Sequence, residues 1–147
     1  MEKNLSPQSR DKVDIEQLGG DEGIRLWVDR FYDKVPSEPL LAGMFPSDLS
    51  ESRKKQHAFF VEFFDGPKLY TENYGRPFMR FKHRNFKIGK PERDAWMRLV
   101  MEALAEALQE QGLDTGGVIE AAEAKLGAIA DVMINHDPAK KDAYYFN

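Results

Sequence analysis

Apolar side chains recur at spacings of three and four residues along most of this chain, and this spacing limits its fold more than any other feature. Four long runs have it, near residues 21–35, 49–64, 91–111 and 117–135. No segment alternates apolar and polar side chains with a period of two, so the pattern predicts no sheet. The runs end at glycine or proline, at Pro36, Gly66-Pro67, Gly112 and Pro138. The sequence therefore predicts one all-α domain over residues 13–137, with residues 68–77 irregular.

Length and charge limit the classes of protein that the chain can represent. Its 147 residues fit one domain with a proper core, and its formal net charge of -4 gives no global basic field that would attract nucleic acid. No apolar run approaches the roughly 18 residues of a membrane span. Residues 1–12 are polar, without the apolar core of a signal peptide, so we expect a flexible N-terminal tail and a cytoplasmic protein. Residues 138–147 are expected to form a polar C-terminal tail.

The chain contains no cysteine. This excludes disulfides, iron–sulfur clusters, thiolate catalysis and the covalent attachment of haem through a C-x-x-C-H motif.

One histidine occupies a short segment between two long helical runs. His83 has cations on both sides, with Phe81 before it and Phe86 after it. A histidine presented in this way can hold a metal from one side, while cations suit an anionic cofactor and aromatic residues suit a flat apolar one. Haem combines an iron, two carboxylates and a large apolar disc. The same pattern also fits a hydrogen-bonded structural histidine, and spacing alone does not separate the two interpretations.

An ordered series of motifs resembles the truncated haemoglobins of group II, the bacterial and plant branch of the short globins. The resemblance covers nearly the whole folded part of the chain, and the series is far more specific than any one motif. The matching motifs are Leu18-Gly19-Gly20, Arg30-Phe31-Tyr32, Phe45-Pro46-Ser47-Asp48-Leu49, Gly66-Pro67, Leu69-Tyr70, Gly75, the stretch from His83 through Phe86 to Ile88, and Glu92-Arg93-Asp94-Ala95-Trp96.

This resemblance implies a two-over-two sandwich of helices around a b-type haem, formed by the four long runs. Two positions depart from the family pattern. Asp65-Gly66 stands where the family usually has two glycines, and Arg76 stands where a histidine is common. Both departures concern the geometry of loops and not the haem site.

The resemblance also implies roles for individual residues. His83 matches the proximal ligand of the iron, and Tyr32 and Trp96 match hydrogen-bond donors on the distal side. Ser52 and Gln56 match two further distal positions, one helical turn apart. The walls of the haem site are expected to include Phe45, Phe59, Phe86 and Ile88, with Arg80 and Lys55 as partners of the haem propionates and Lys82 behind them.

Each of these assignments has a plainer alternative. Tyr32 and Trp96 could be ordinary core aromatics, and Gln56 could be a surface glutamine. The cations could be merely solvated. His57 is expected to be solvated because it points away from the Gln56 face of its helix. His136, near the end of the last helix, is expected only to complement the helix dipole.

Two functions from different classes follow. The first is a haem protein that reversibly binds O2 and other diatomic ligands such as CO and NO, with a hydrogen-bonding pocket that slows release. It could support NO or peroxide redox chemistry, for which we expect a separate reductase. The alternative is a cofactor-free all-α module that binds a partner protein. Either a monomer or a homodimer is compatible with the sequence.

Overall fold

A computed structural model describes residues 12–136, and within that range the backbone forms helices and turns without a strand. The prediction of an all-α fold is therefore confirmed. The predicted tails lie outside the described residues, apart from Lys12. Seven α-helices occur in the described range, namely α1 (Gly20–Lys34), α2 (Pro39–Ala42), α3 (Ser50–Phe63), α4 (Leu69–Tyr74), α5 (Met79–Lys82), α6 (Lys90–Gln111) and α7 (Val118–Met133). Short 3-10 helices cover Ile15–Leu18 and Val35–Ser37.

The four long helices pack against one another in a series. Helix α1 packs against α3 and most extensively against α6, and α6 packs against α7. Trp27 lies at the centre of this packing and is fully buried. Its ring centroid is 4.5 Å from that of Phe60 and 5.5 Å from that of Phe64. Its indole N–H donates to the backbone oxygen of Val100 at 2.9 Å, so this tryptophan has all of its polar capacity satisfied inside the core.

The turns between helices explain one departure from the family pattern. Asp65, which follows α3, has a φ of 70°. This is the left-handed region, which glycine adopts without strain and aspartate tolerates better than most residues. Gly66 follows it, and a Cβ at that position would lie only 2.8 Å from the backbone oxygen of Val61. The turn therefore tolerates aspartate at the first position, whereas the second position needs glycine.

The segment 68–77 was predicted to be irregular, and that prediction is wrong for its first part, because α4 covers Leu69–Tyr74. The carboxylate of Glu62 in α3 accepts hydrogen bonds from the backbone N–H of Thr71 at 2.8 Å and from its hydroxyl at 2.6 Å. These bonds satisfy groups in the first turn of α4 from a neighbouring helix, which local sequence signals do not reveal.

The prediction that His57 is solvated is also wrong. Its side chain is buried, and its Nε2 lies 3.0 Å from Oδ1 of Asp21 in α1, close enough for a charge contact but outside hydrogen-bond geometry. The side of α3 opposite Gln56 faces α1 and not water. Across residues 12–136, no helix combines the length and apolar character needed to cross a bilayer.

Candidate functional site

A cavity of about 330 Å³ opens between the helices, and its lining is mostly apolar. Ten of the twelve residues proposed from the sequence line it, and they come from α1, α3, α6, the end of α5 and the intervening loops. These ten are Tyr32, Phe45, Ser52, Lys55, Gln56, Phe59, Lys82, His83, Ile88 and Trp96. The structure thus brings together residues that are as much as 64 positions apart in the sequence.

Arg80 and Phe86 are the two proposed residues that do not line the cavity. The Nε atom of Arg80 is buried and has no hydrogen-bond partner within the described residues. The ring of Phe86 lies beside His83, with 6.4 Å between the ring centroids. Both residues come within three positions of His83, but Arg80 lies on the four-residue helix α5, which cannot point all of its side chains to one side, and Phe86 lies in the turn after it.

The hydrogen bonding of His83 fixes its tautomer. Nδ1 lies 2.7 Å from the backbone oxygen of Met79. A carbonyl oxygen only accepts, so Nδ1 carries the proton and Nε2 of the neutral ring has a free lone pair. Burial lowers the pKa of His83 and outweighs the opposite effect of the bond to Met79. The ring is therefore neutral at pH 7, which is the form that binds a metal.

The loop that follows His83 is held by one buried amide. Asn135 is fully buried, just beyond the end of α7. Its side-chain nitrogen donates to the backbone oxygens of His83 at 3.3 Å and Phe86 at 2.9 Å, and its side-chain oxygen accepts from the N–H of Ile88 at 2.9 Å. The backbone of Asn135 also donates to the oxygen of Ile88 at 2.8 Å. Asn135 thus makes four hydrogen bonds to the segment 83–88, and the backbone N–H of His136 adds a fifth to the oxygen of Ile88 at 3.1 Å.

Four polar side chains line the cavity without a hydrogen-bond partner of their own in the range 12–136. They are Tyr32, Ser52, Gln56 and Trp96. Trp96 contrasts with Trp27, whose N–H is bonded to Val100 inside the core. Buried polar groups in proteins are normally hydrogen-bonded, so unsatisfied donors around a cavity are suited to a ligand that accepts from them.

The phenol of Tyr32 is held in its protonated form. The side chain is 3% exposed, and burial raises its pKa more strongly than the positive charge of Arg53 lowers it. The ring contacts Phe45 edge-on, with 5.6 Å between centroids. Tyr32 is therefore a rigid, neutral donor at the wall of the cavity.

Two exposed lysines lie where the cavity meets solvent. Lys55 extends from α3, and its Nζ lies 5.6 Å from the centroid of the Tyr74 ring. Lys82, at the end of α5, donates to the hydroxyl of Tyr70 at 2.9 Å. Neither lysine has a carboxylate partner within the described residues, so both can bind an anionic group.

Sequence reasoning missed several lining residues. Ile129, Ala130 and Met133 belong to the apolar face predicted for the last helix, and a cavity between helices could have been inferred from that face. Tyr70 belongs to a motif of the family resemblance that implied no role for it, and Met79 lies in a segment without helical periodicity, so no pattern placed it. Leu41, Met44, Glu92 and Arg93 also contribute.

The residues fit a cofactor better than a free metal ion. The described residues include no group of three or more His, Cys, Asp or Glu side chains that could hold an ion. A metal at His83 must therefore bring most of its ligands with it. One free imidazole nitrogen, an apolar cavity and two cations at its edge match the iron, the apolar disc and the carboxylates of haem.

Comparisons with known proteins agree with this interpretation. The model of the bacterial-like globin family matches residues 15–125. The chain is 37% identical, over 121 residues, to the group 2 truncated hemoglobin YjbI of Bacillus subtilis, covering 82% of this chain and 88% of that protein.

Solved structures give the same result. The hemoglobin of Chloroflexus aurantiacus has 36% identity and a TM-score of 0.75, covering 85% of this chain and 100% of that one. The truncated oxygen-avid haemoglobin of Bacillus subtilis has 38% identity and a TM-score of 0.70, covering 82% and 97%. The predicted truncated-globin fold is confirmed. The chain belongs to the bacterial-like globins and, among them, to the truncated haemoglobins of group II.

Proposed function

We propose that this protein holds a b-type haem through His83 and reversibly binds O2, which it releases slowly because Tyr32 and Trp96 donate hydrogen bonds to it. Membership of the globins already implies a haem protein that binds small diatomic ligands. One observation carries the finer proposal. Tyr32 and Trp96 have no hydrogen-bond partner among the described residues, and they line the same cavity as a neutral histidine with a free Nε2.

His83 is the proposed ligand of the iron. The bond from Nδ1–H to Met79 orients the ring and makes Nε2 a better electron donor. The bound haem supplies an iron that takes up the gas. The 147 residues contain no cysteine, which supports a non-covalent, b-type haem.

The hydrogen-bond donors decide which ligand is favoured. O2 acquires more negative charge than CO when it binds, so it gains more from N–H and O–H groups around it. A hydrogen bond to a charged group contributes about 1.5–3 kcal/mol, which corresponds to more than about tenfold in the rate of release. Gln56 and Ser52 could supplement these bonds. The truncated haemoglobin of Bacillus subtilis described as oxygen-avid is similar to this chain, which supports the proposal of tight O2 binding.

The remaining cavity residues are proposed to hold the haem itself. Phe45, Phe59 and Ile88 provide apolar walls, and Lys55 and Lys82 are placed to pair with the propionates. Lys82 replaces Arg80 in this role, because Arg80 does not line the cavity. NO or peroxide chemistry would require electrons from a reductase, and it remains a secondary proposal. The alternative of a cofactor-free module has no support now that the chain is identified as a globin.

The proposal is tested by replacing the proximal histidine. His83→Gly removes the imidazole and leaves a space of similar size. We expect the wild-type protein to bind one haem with a Soret band, the variant to lose haem readily, and added free imidazole to restore binding. His57→Gln is the matched control, because it changes a buried histidine outside the cavity.

The control should keep haem with an unchanged spectrum and should not respond to imidazole. Tight haem retention by His83→Gly without imidazole, with the spectrum of the wild type, would refute the assignment of His83.

A further inference from the structure

One short segment of the surface differs in charge from the rest of the molecule. Residues 76–90 contain six lysines and arginines and neither aspartate nor glutamate. Since the chain as a whole has a formal net charge of -4, the remaining residues carry -10. The segment includes His83 and therefore lies beside the proposed haem. We use the term proximal surface for the exposed side chains of Arg76, Phe78, Phe81, Arg84 and Lys87.

Three cations of the proximal surface lack carboxylate partners, in contrast to several cations on the long helices. On the long helices, Arg30 is paired with Glu110 at 2.7 Å, and Lys34 with Glu106 at 2.8 Å. Further ion pairs involve Arg25, Arg53, Arg93 and Arg98. Arg76, Arg84 and Lys87 take part in no ion pair within the part of the chain that the structure describes. Their charges are therefore available to an external acidic group.

Two aromatic side chains project from the same surface. Phe78 is 62% exposed and Phe81 is 59% exposed, and only two other large hydrophobic side chains in the described range are exposed. Phe78 has a φ of 31°, in the left-handed region, which is strained for a residue with a side chain. The guanidinium of Arg84 lies 3.8 Å from the centroid of the Phe81 ring. Exposed aromatics stacked with arginine are typical of protein interfaces.

We propose that the proximal surface docks an acidic electron-transfer protein, which delivers one electron to the haem. This inference rests on the proposed function, because a haem that binds O2 must be kept in the ferrous state. In the step, the donor loses one electron and the ferric iron gains it, without transfer of a proton or another group. Opposite charges would steer the two proteins together, and the two phenylalanines would form the apolar contact of a small, transient interface.

An anionic membrane is the other class of partner that cations and exposed aromatics could fit. The geometry of the surface favours a protein partner over a membrane. Helix α5 has only four residues, which is too short to present the apolar face of a membrane-surface helix. The membrane alternative is retained as an outcome of the test.

The experiment uses ferric holoprotein and a reduced, acidic [2Fe–2S] ferredoxin as the probe, mixed without oxygen under CO in a stopped-flow instrument. The variant is Arg76→Glu/Arg84→Glu/Lys87→Glu. The matched control is Lys12→Glu/Lys54→Glu/Lys68→Glu, which makes the same change of net charge at three other exposed lysines. Loss of electrostatic steering should slow reduction of the first variant by about tenfold or more at low salt and remove most of its salt dependence. The control should change by less than about threefold.

Further variants and readouts separate the explanations. Phe78→Ser/Phe81→Ser should slow reduction at low salt while leaving the salt dependence intact, because it removes the apolar contact only. Reduction by dithionite and the rate of O2 release should be the same in all variants. A change in either of these two rates would indicate damage to the haem site. Such a result would count against the proposed function and not against docking at the proximal surface.

Equal rates for wild type and the Arg76/Arg84/Lys87 variant overturn the proposal. Equal slowing of that variant and its control also overturns it, because net charge alone would then explain the effect. Binding of wild-type protein to phosphatidylserine vesicles that the variant loses, with no difference in reduction by ferredoxin, would identify a membrane surface instead.

Discussion

The two tryptophans of this chain illustrate how a single hydrogen bond separates a core residue from a site residue. Trp27 and Trp96 are both apolar anchors on long helices, and both lie next to aromatic neighbours. The N–H of Trp27 is bonded to Val100, so it has nothing to offer a ligand. Trp96 has no such partner within residues 12–136, and it lines the cavity. The indole donor of Trp96 is thus the one available for ligand binding.

Tyr32 should remain a neutral phenol far into the alkaline range. Burial raises the pKa of Tyr32 above the ordinary value of about 10. The resonance of its ring carbon that carries the hydroxyl, followed by NMR with labelled tyrosine, should therefore not titrate below pH 10. Tyr32→Phe identifies the resonance by its loss. Titration of this signal near pH 9 would mean that the hydroxyl is solvated and is not the enclosed donor that the account requires.

From the sequence, the identity of the site residues could be predicted better than the direction in which each side chain points. The surroundings of His83 indicate a possible metal ligand by themselves, whereas Tyr32 and Trp96 are identified only through the family resemblance, since periodicity alone would leave both as core aromatics. Arg80 and Lys82 could not be told apart, because a turn of four residues has no helical phase to read. His57 was placed in solvent because the packing of α1 onto the far side of α3 is a tertiary contact.

Among the helices and loops, the connection between α7 and the segment 83–88 bears most directly on the site. Asn135 satisfies two carbonyls and one N–H of that segment, including the carbonyl of His83 itself. Within residues 12–136 these groups have no other side-chain partner, although the N–H of Phe86 also donates to the oxygen of His83 at 3.0 Å, so the position of His83 depends in part on an amide that lies 52 residues away.

Replacing Asn135 should loosen the proximal side. Asn135→Ala leaves buried backbone groups without partners, which costs about 1–3 kcal/mol for each group that water cannot reach. We expect a lower free energy of unfolding in urea, and haem transfer to an apo-myoglobin acceptor about tenfold faster. Resonance Raman should also detect a change in the iron–histidine stretching mode.

The matched control is Asn73→Ala. Asn73 is exposed and donates a single hydrogen bond to the backbone oxygen of Leu69. It should change neither the Raman mode nor the rate of haem transfer. An unchanged Raman mode in Asn135→Ala would mean that Asn135 only stabilises the fold and does not position His83.

The long helices could be predicted almost to their ends. All four begin within one residue and end within two residues of the predicted positions, because proline, glycine and apolar periodicity mark them. The short helix α4 could not be predicted, because Glu62 of α3 caps it from outside its own segment. Asn135, which holds the segment 83–88, gave no local signal either.

At the scale of the whole molecule, the aromatic core and the cavity are two separate regions. Both regions include residues of α1 and α6. Trp27, Phe60 and Phe64 fill the core, whereas Tyr32 and Trp96, farther along the same chain, face the cavity. Ion pairs such as Arg30 with Glu110 join α1 to α6 across the surface. A rigid α1–α6 pair therefore holds the two principal donors at fixed positions, although they come from different helices.

The rate of O2 release tests this account most directly. Tyr32→Phe and Trp96→Phe each remove a donor and nearly preserve bulk, and stopped-flow displacement of O2 measures the result for each variant and for the double. Trp27→Phe is the control, because its donor is used in the core; it should lower stability and leave O2 release unchanged.

We expect each cavity variant to release O2 about tenfold faster for every 1.4 kcal/mol of hydrogen bonding lost, with a smaller effect on CO. The double variant should show less than the product of the single effects, because the remaining donors can reorient when one is removed. If both single variants keep haem and release O2 at the wild-type rate, Tyr32 and Trp96 are packing residues, and the central claim of slow release by hydrogen bonding is wrong.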